Sequence, residues 1–227
     1  MRLISLVPSV TETLCAWERA PIACTRFCER NDLEHVGGTK DPHIERILEL
    51  DPDLVIMDVE ENRREDYETL ITRGVSVHLL HVKSVRDVDE QILALAETVG
   101  AQFRPLTLLD PPPTRVRAFV PIWRRPWMAL GADTYGASLL AQLGVGTIFD
   151  RDGKYPTMSL EGAQRRRPDL VIAPSEPYPF TARQLSELEP VATTVFVDGK
   201  DLFWWGMRTE GALIRLREQL ADLVDGP

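Results

Sequence analysis

The pentapeptide PDLVI occurs twice, at residues 52–56 and 168–172, an offset of 116 (168 − 52). In both places a helix-like segment gives way to branched aliphatic residues. That is the pattern of a buried strand in a parallel sheet. The same offset extends the match. Ile44-Glu45 falls on Leu160-Glu161, and Glu60, just past the first copy, falls on Glu176. Asp51 falls on Arg167, so the match is partial. Helix-to-strand turns often use Pro-Asp whatever their ancestry. The agreement of the flanking pieces nevertheless favours duplication of one α/β unit.

The rest of the chain alternates in the same way. LISLV (residues 3–7) reads as a buried strand stopped by Pro8. Ser9, with Glu12 three residues later, reads as the N-cap and partner of a capping box. A strand, tight turn and helix in that order leave helix N–H groups at the carboxyl end of a strand, a place suited to anions and polar ligand groups. PIACT, DLVIM and VSVHLLHV read as further strands. DPHIERILEL, NRREDYETLITRG and the segment from Ser84 to Gly100 read as helices between and after them. Pro105 and Pro111, Pro112 and Pro113 then forbid a continuous helix and favour a stiff extended connection. Beyond it, VRAFV, WMAL, GTIF, DLVIA and TTVFV read as strands; DTYGASLLAQLG, SLEGAQRRR, TARQLSELE and a closing segment from Thr209 read as helices. The expected fold class is therefore α/β, with two lobes built on parallel sheets. Residues 1–100 form the first lobe with a bridging helix, 101–114 a Pro-rich linker, and 115–227 the second lobe. The expected ligand site is the cleft between the carboxyl ends of the two sheets.

The segments after those strands share a composition. They hold Ser9; Arg26, Phe27 and Cys28; Glu61, Asn62 and Arg63; Trp123 and Arg124; Tyr178; and Trp204, Trp205 and Arg208. Arginine pairs with carboxylate or phosphate as a bidentate fork and stacks on π systems. Tryptophan and tyrosine offer broad apolar area with a polar tip. The set suits a large, partly flat ligand with charged edges. In VDGKDLFWWGMRT (residues 197–209), three adjacent aromatics cannot all face one core, so Trp204 or Trp205 is expected to be substantially exposed. Any single one of Trp123, Trp127, Trp204 and Trp205 is more often lobe packing than ligand contact; the argument rests on the cluster.

Several functions are set aside. The formal charge is −9, with 35 acidic against 26 basic residues, the wrong balance for a nucleic-acid binder. No apolar run approaches the ~20 residues of a membrane span. Three cysteines do not make a disulfide framework or a zinc knuckle, and His78 and His81 fall on opposite faces of a strand. Dinucleotide, P-loop, metalloprotease and nucleophile-elbow motifs are absent from the sequence. No cofactor is required and no metal-ligand set is visible. The opening MRLISLVPS enters a strand pattern without a signal-like run, so a cytoplasmic location is expected; export with removal of a leader is the alternative.

The ordered set RLISLVPSVTETL, TRFC, VGGTKDPHIERILELDPDLVI, EENRRED, PIWRRPWMALGADTY, SEPYPF and VDGKDLFWWGMRT resembles the helical-backbone metal receptor family. This family falls among the class III substrate-binding proteins, with the cobalamin- and ferric-siderophore-binding proteins of ABC importers. The resemblance covers nearly the whole chain and is more specific for fold than for ligand. It implies two Rossmann-like lobes bridged by a long helix, with a cobalt- or iron-chelate (a corrinoid, a haem-like tetrapyrrole or a ferric siderophore) in the cleft. It carries over Ser9, Arg26, Phe27, Cys28, Glu61, Asn62, Arg63, Trp123, Arg124, Tyr178, Trp204, Trp205 and Arg208 as contacts. An ABC transporter permease is the implied partner if the chain is exported. The sequence departs from the family where the bridging helix should continue, at Gly100 and the prolines that follow.

The primary reading is non-catalytic binding of such a chelate. The alternative is a cytosolic enzyme or chaperone processing one, with Glu60, Glu61 and Glu176 as acid or base and Cys28 as nucleophile or ligand. A third reading is a protein-docking module that uses the acidic residues after the matched strands.

Overall fold

Asp53 and Asp169, the second residues of the two PDLVI motifs, each fasten a helix-to-strand turn to the segment that leads into or opens the neighbouring strand. The computed structural model describes residues 1–224. In it the backbone N–H of Arg2 donates to Asp53 Oδ2 (2.6 Å), and the N–H of Asp53 donates back to the Arg2 carbonyl (2.9 Å). The N–H of Arg117 donates to Asp169 Oδ2 (2.7 Å), and that of Asp169 returns to the Arg117 carbonyl (2.8 Å). The two clasps set the register of the parallel pairs described next.

The chain divides into two units, the first made of Met1–Val82, Arg86–Leu106 and Trp205–Arg208. Its elements are β1 (Leu3–Ser5), α1 (Pro8–Ala16), β2 (Ala23–Cys24), β3 (Glu34–His35), α2 (Ile44–Glu49), β4 (Leu54–Asp58), α3 (Arg64–Thr72), β5 (Val77–Leu80) and α4 (Val85–Val99), whose first residue falls in the second unit. The five strands form a parallel sheet in the order β3-β2-β1-β4-β5. Ile4, Leu6, Ala23, Val36, Ile47, Val55, Met57 and Leu70 fill its core. Branched aliphatic residues favour this doubly covered position because both faces of the strand are packed.

The second unit contains Lys83–Val85, Thr107–Trp204 and the chain from Thr209. Its elements are β6 (Val116–Phe119), β7 (Pro121–Arg124), β8 (Trp127–Ala129), α5 (Tyr135–Ala141), β9 (Val145–Thr147), α6 (Leu160–Arg165), β10 (Leu170–Pro174), α7 (Leu185–Leu188), β11 (Thr193–Val197), α8 (Gly199–Phe203) and α9 (Thr209–Val224). Its main sheet is parallel, in the order β11-β10-β6-β9. Phe119, Ile148, Phe149, Val171, Ala173, Phe180 and Leu188 lie in the core beneath it.

Read from β5 and from β11, the two sheets have matching orders: β5-β4-β1-β2 and β11-β10-β6-β9. The 116-residue offset carries α2 onto α6 and β4 onto β10 at both ends. It also carries Asp51 (φ +46°) onto Arg167 (φ +49°), two non-glycine residues in the left-handed region. This mismatched pair therefore keeps its backbone conformation while changing its side chain.

Four local expectations are corrected. Helix α1 starts at Pro8 with Val7 as N-cap, and no side chain caps it. Proline's fixed φ and missing N–H suit the first helical position, so the helix begins ahead of Ser9 and the Ser9–Glu12 capping box does not form. Residues 121–124 are a strand, paired antiparallel with β8 in a hairpin; Pro121 is tolerated as the first strand residue. The third corrected element, β9, starts one residue before GTIF and ends at Thr147. Last, Trp205–Arg208 groups with the first unit despite its place in the sequence. As the sequence suggests, α4 stops at Val99, Gly100 takes φ +66°, and residues 101–115 form neither helix nor strand.

A non-glycine residue in the left-handed region carries a steric penalty that glycine avoids. Arg167→Gly is expected to stabilise the chain by about 0.5–1 kcal/mol, raising Tm by ~1–4 °C for a chain of this size. Asp51→Gly should give less, because Asp tolerates this region better. Thermal melts of the two variants check both.

Candidate functional site

The residues expected at the site sort into braced and presented groups. Ser9 is buried in the first turns of α1, and its carbonyl accepts from Thr13 Oγ1 (3.0 Å). Asn62 is buried and committed to the fold. Its Oδ1 accepts from the Asp58 N–H (2.8 Å), and its Nδ2 donates to the carbonyls of Leu6 (3.1 Å) and Thr39 (3.0 Å). Trp205 is only 5% exposed. These three side chains therefore shape the loops from within, and the expectation of substantial exposure fails for Trp205.

Cys28 is also buried. The turn closed by its N–H on the Thr25 carbonyl (3.0 Å) brings its thiol beside Thr25 Oγ1 (3.4 Å) and Thr11 Oγ1 (3.2 Å). A hydrogen bond shared with Cys24, aided by both threonines, pulls its pKa down to about 6 against the opposing effect of burial. Cys24 is pushed up by the same shared bond and by burial. Hydroxyls and a second thiol stabilise the charged form of Cys28, and burial keeps it from acting as a presented nucleophile.

The presented group of the first unit gathers on the loops after β2 and β4. Phe27 is 53% exposed, and the Arg26 guanidinium lies 4.9 Å from its ring centroid. Arg26 forks onto Asp41 through Nη1–Oδ2 (3.0 Å) and Nη2–Oδ1 (2.9 Å). Arg63, exposed at the start of α3, forks onto Asp66 through Nε (2.9 Å) and Nη2 (3.1 Å). Asp66 sits in the first turn of α3, where the helix dipole also favours a carboxylate. Glu61 is exposed, and its backbone N–H donates to Asp58 Oδ1 (3.1 Å). Arg208 forks onto Glu12 (2.8–3.2 Å), a half-buried residue of α1.

In the second unit the β7–β8 hairpin carries Trp123, 44% exposed, edge-on to Tyr178 with centroids 5.8 Å apart. Tyr178 leans on Phe180 (4.7 Å), and Phe180 stacks on Trp127 (5.9 Å, 11°). Arg124 donates to Glu187 Oε1 (2.6 Å) and Oε2 (3.3 Å). Trp204 is half-buried. Its indole N–H donates to Glu176 Oε2 (3.1 Å), and Lys200 Nζ stands 5.3 Å over its ring. Gly199 approaches the loop after β10 closely: an added Cβ would lie 2.3 Å from the Glu176 nitrogen. The structure thus brings Trp123, Arg124 and Tyr178 together, and separately Trp204 with Glu176. Among the described residues no group of three His, Cys, Asp or Glu side chains is arranged to hold a metal ion.

Sequence reasoning missed the acids that engage the arginines. The Arg63–Asp66 spacing of three along a helix was legible; Arg26–Asp41, Arg124–Glu187 and Arg208–Glu12 join distant positions and left no local signal. It also missed Asp58, buried at the carboxyl end of β4. Asp58 Oδ1 accepts the N–H groups of Glu60 (2.8 Å) and Glu61 (3.1 Å), whereas its buried Oδ2 has no hydrogen-bond partner. Burial pushes this carboxyl up, and the backbone N–H groups of Glu60, Glu61 and Val82 offset that in part.

Residues 3–110 match the family model described as "Periplasmic binding protein". The resemblance to binding proteins is borne out. A curated vitamin B12-binding protein of Pectobacterium carotovorum is 24% identical over 97% of this chain and 87% of its own length. The structure of the periplasmic vitamin B12 binding protein BtuF of Vibrio cholerae covers 100% of this chain and 98% of that one, with 20% identity and a TM-score of 0.77. The periplasmic haem binding protein HutB of Vibrio cholerae covers 97% and 98%, with 18% identity and a TM-score of 0.79. The chain therefore has the two-lobed α/β fold of these binding proteins, parallel sheets included.

A buried carboxyl whose pKa is raised on folding binds its proton more tightly in the folded state. Its contribution to stability is complete below the unfolded value and is lost as pH rises through the folded one. Asp58→Asn keeps the acceptor for Glu60 and Glu61 and removes the charge. Its Tm is expected to exceed that of the unaltered chain by about 2–4 °C at pH 8, the equivalent of ~1 kcal/mol. The gap should close toward pH 4; melts across this range check it.

Proposed function

We propose that the chain binds a metal chelate without chemical change, as a substrate-binding protein related to those of ABC importers. The observation that carries this reading is the pairing of an exposed aromatic with an arginine: Phe27 with Arg26 on the loop after β2, and Trp123 with Arg124 on the β7–β8 hairpin beside the loop residue Tyr178. Such loops offer flat apolar area beside fixed polar groups, which a corrinoid, a haem-like tetrapyrrole or a ferric siderophore requires. The names of the relatives, which refer to vitamin B12 and haem, support the same ligand classes. Arg63, Glu61, Trp204 and Arg208 belong to the proposed contact set, and residues 101–114 to the proposed linker. The metal travels as part of the ligand, and no resident cofactor is invoked.

The enzyme alternative gains nothing from Cys28, whose burial withholds the thiol. The cytoplasmic expectation finds no support among the relatives. BtuF and HutB are described as periplasmic, which favours the exported alternative, with an ABC transporter permease as partner. Among the described residues no helix is long and apolar enough to cross a membrane.

Titration of the purified chain with cyanocobalamin, haemin and a ferric siderophore, followed by tryptophan fluorescence, tests the reading. Saturable quenching by at least one chelate is expected, and no response to any of them would overturn the proposal. Trp123→Ala should weaken the bound chelate about tenfold, ~1.4 kcal/mol, with the fold intact by circular dichroism.

A further inference from the structure

Every arginine of the proposed contact set already holds a carboxylate of its own unit. Arg26 holds Asp41, Arg63 holds Asp66, Arg208 holds Glu12, and Arg124 holds Glu187. Two of these pairs flank the exposed aromatics. The Arg26–Asp41 fork lies against Phe27 and over Gly38, where an added Cβ would come within 2.8 Å of Arg26 Nη2 and 2.4 Å of Asp41 Oδ1. Arg124 of the Arg124–Glu187 pair also hydrogen-bonds the Tyr178 side chain, whose ring meets Trp123.

Building on the proposed chelate binding, we infer that Asp41 and Glu187 are specificity determinants that favour chelates rimmed by uncharged amides over chelates rimmed by carboxylates. A fork-to-fork pair is net neutral and presents N–H donors next to carboxylate acceptors. A primary amide has one acceptor and two donors and can use both sides of such a pair. An incoming carboxylate can use only the guanidinium. It must displace the resident acid or sit beside it, and like charges in contact are disfavoured. The Arg26 hydrogen bond keeps the Asp41 carboxyl below its ordinary range. The chain's net charge of −9 acts in the same direction at longer range.

The test uses the full chain and two corrinoids that share one macrocycle: cyanocobalamin, and dicyanocobyrinic acid, whose rim amides are replaced by carboxylic acids. Haemin, with two propionates, is the third probe. The unaltered chain is expected to bind cyanocobalamin at least tenfold more tightly than either carboxylated ligand. Asp41→Asn and Glu187→Gln keep the shape and remove the charge. Each should improve binding of dicyanocobyrinic acid several-fold relative to cyanocobalamin. Charge-retaining Asp41→Glu should leave the ratio near its original value, which separates charge from any change in folding. Tighter binding of dicyanocobyrinic acid or haemin by the unaltered chain, or an unchanged ratio in both neutralised variants, would overturn the inference while leaving chelate binding in place. Failure of all three probes and of a ferric siderophore would overturn the underlying reading and this inference with it.

Discussion

Everything at the carboxyl edges of the two sheets depends on a parallel register fixed at their amino ends. Leu3 stands opposite Leu54, and Ala118 opposite Leu170. A parallel pair has no hairpin turn to set its alignment, and a slip of one residue would turn every buried side chain to the wrong face. The Asp53 and Asp169 clasps act at that point. Each joins side chain and backbone of the turn to the first residues of the adjacent strand. The left-handed residue two positions earlier delivers the chain into the clasp. The same device in both units makes duplication a physical statement as well as a textual one.

With the register fixed, the loops at the opposite edge can differ without disturbing the core. In the first unit they carry a phenylalanine, three paired arginines and a buried carboxylate. In the second they carry a ladder of four aromatic rings and one paired arginine. Most polar groups there are matched inside their own unit, so the presented surface is locally neutral although the chain as a whole is acidic. Surface ion pairs of this type contribute little to stability; their value lies in fixing geometry and in setting what can approach.

Much of the fold was legible. Aliphatic runs, punctuating glycines and the offset between the PDLVI copies are local patterns, and local patterns survive folding when many neighbours agree. The first helix was misplaced by two residues, its N-cap being Val7 in place of Ser9, because Pro8 takes the first helical position and fixed backbone geometry prevails over a side-chain cap. The β7–β8 hairpin was hidden because Trp123 and Arg124 look like loop residues when their antiparallel partner is unknown. The site was half legible. Residue types on strand-end loops could be read from order alone. Which of them turn inward could not: Asn62 is tied to Leu6 and Thr39, 56 and 23 residues away, and Cys28 to Thr11, 17 residues away, while Trp205 is buried by packing that leaves no spacing rule. The acids that engage Arg26, Arg124 and Arg208 lie 15, 63 and 196 residues from them in sequence.

Gly199 lies so close to the Glu176 backbone that the strand-end segments after β10 and β11 form one wall, pinned again by the Trp204–Glu176 hydrogen bond. A wall with two fastenings and no room for a side chain between its sheets of backbone resists piecemeal change. Insertions or bulky replacements on either side would have to move both segments at once. The β7–β8 hairpin that carries Trp123 is fastened through side chains, by Arg124 on Glu187 and Trp123 on Tyr178, and it is where such a binder could acquire a new preference by small steps.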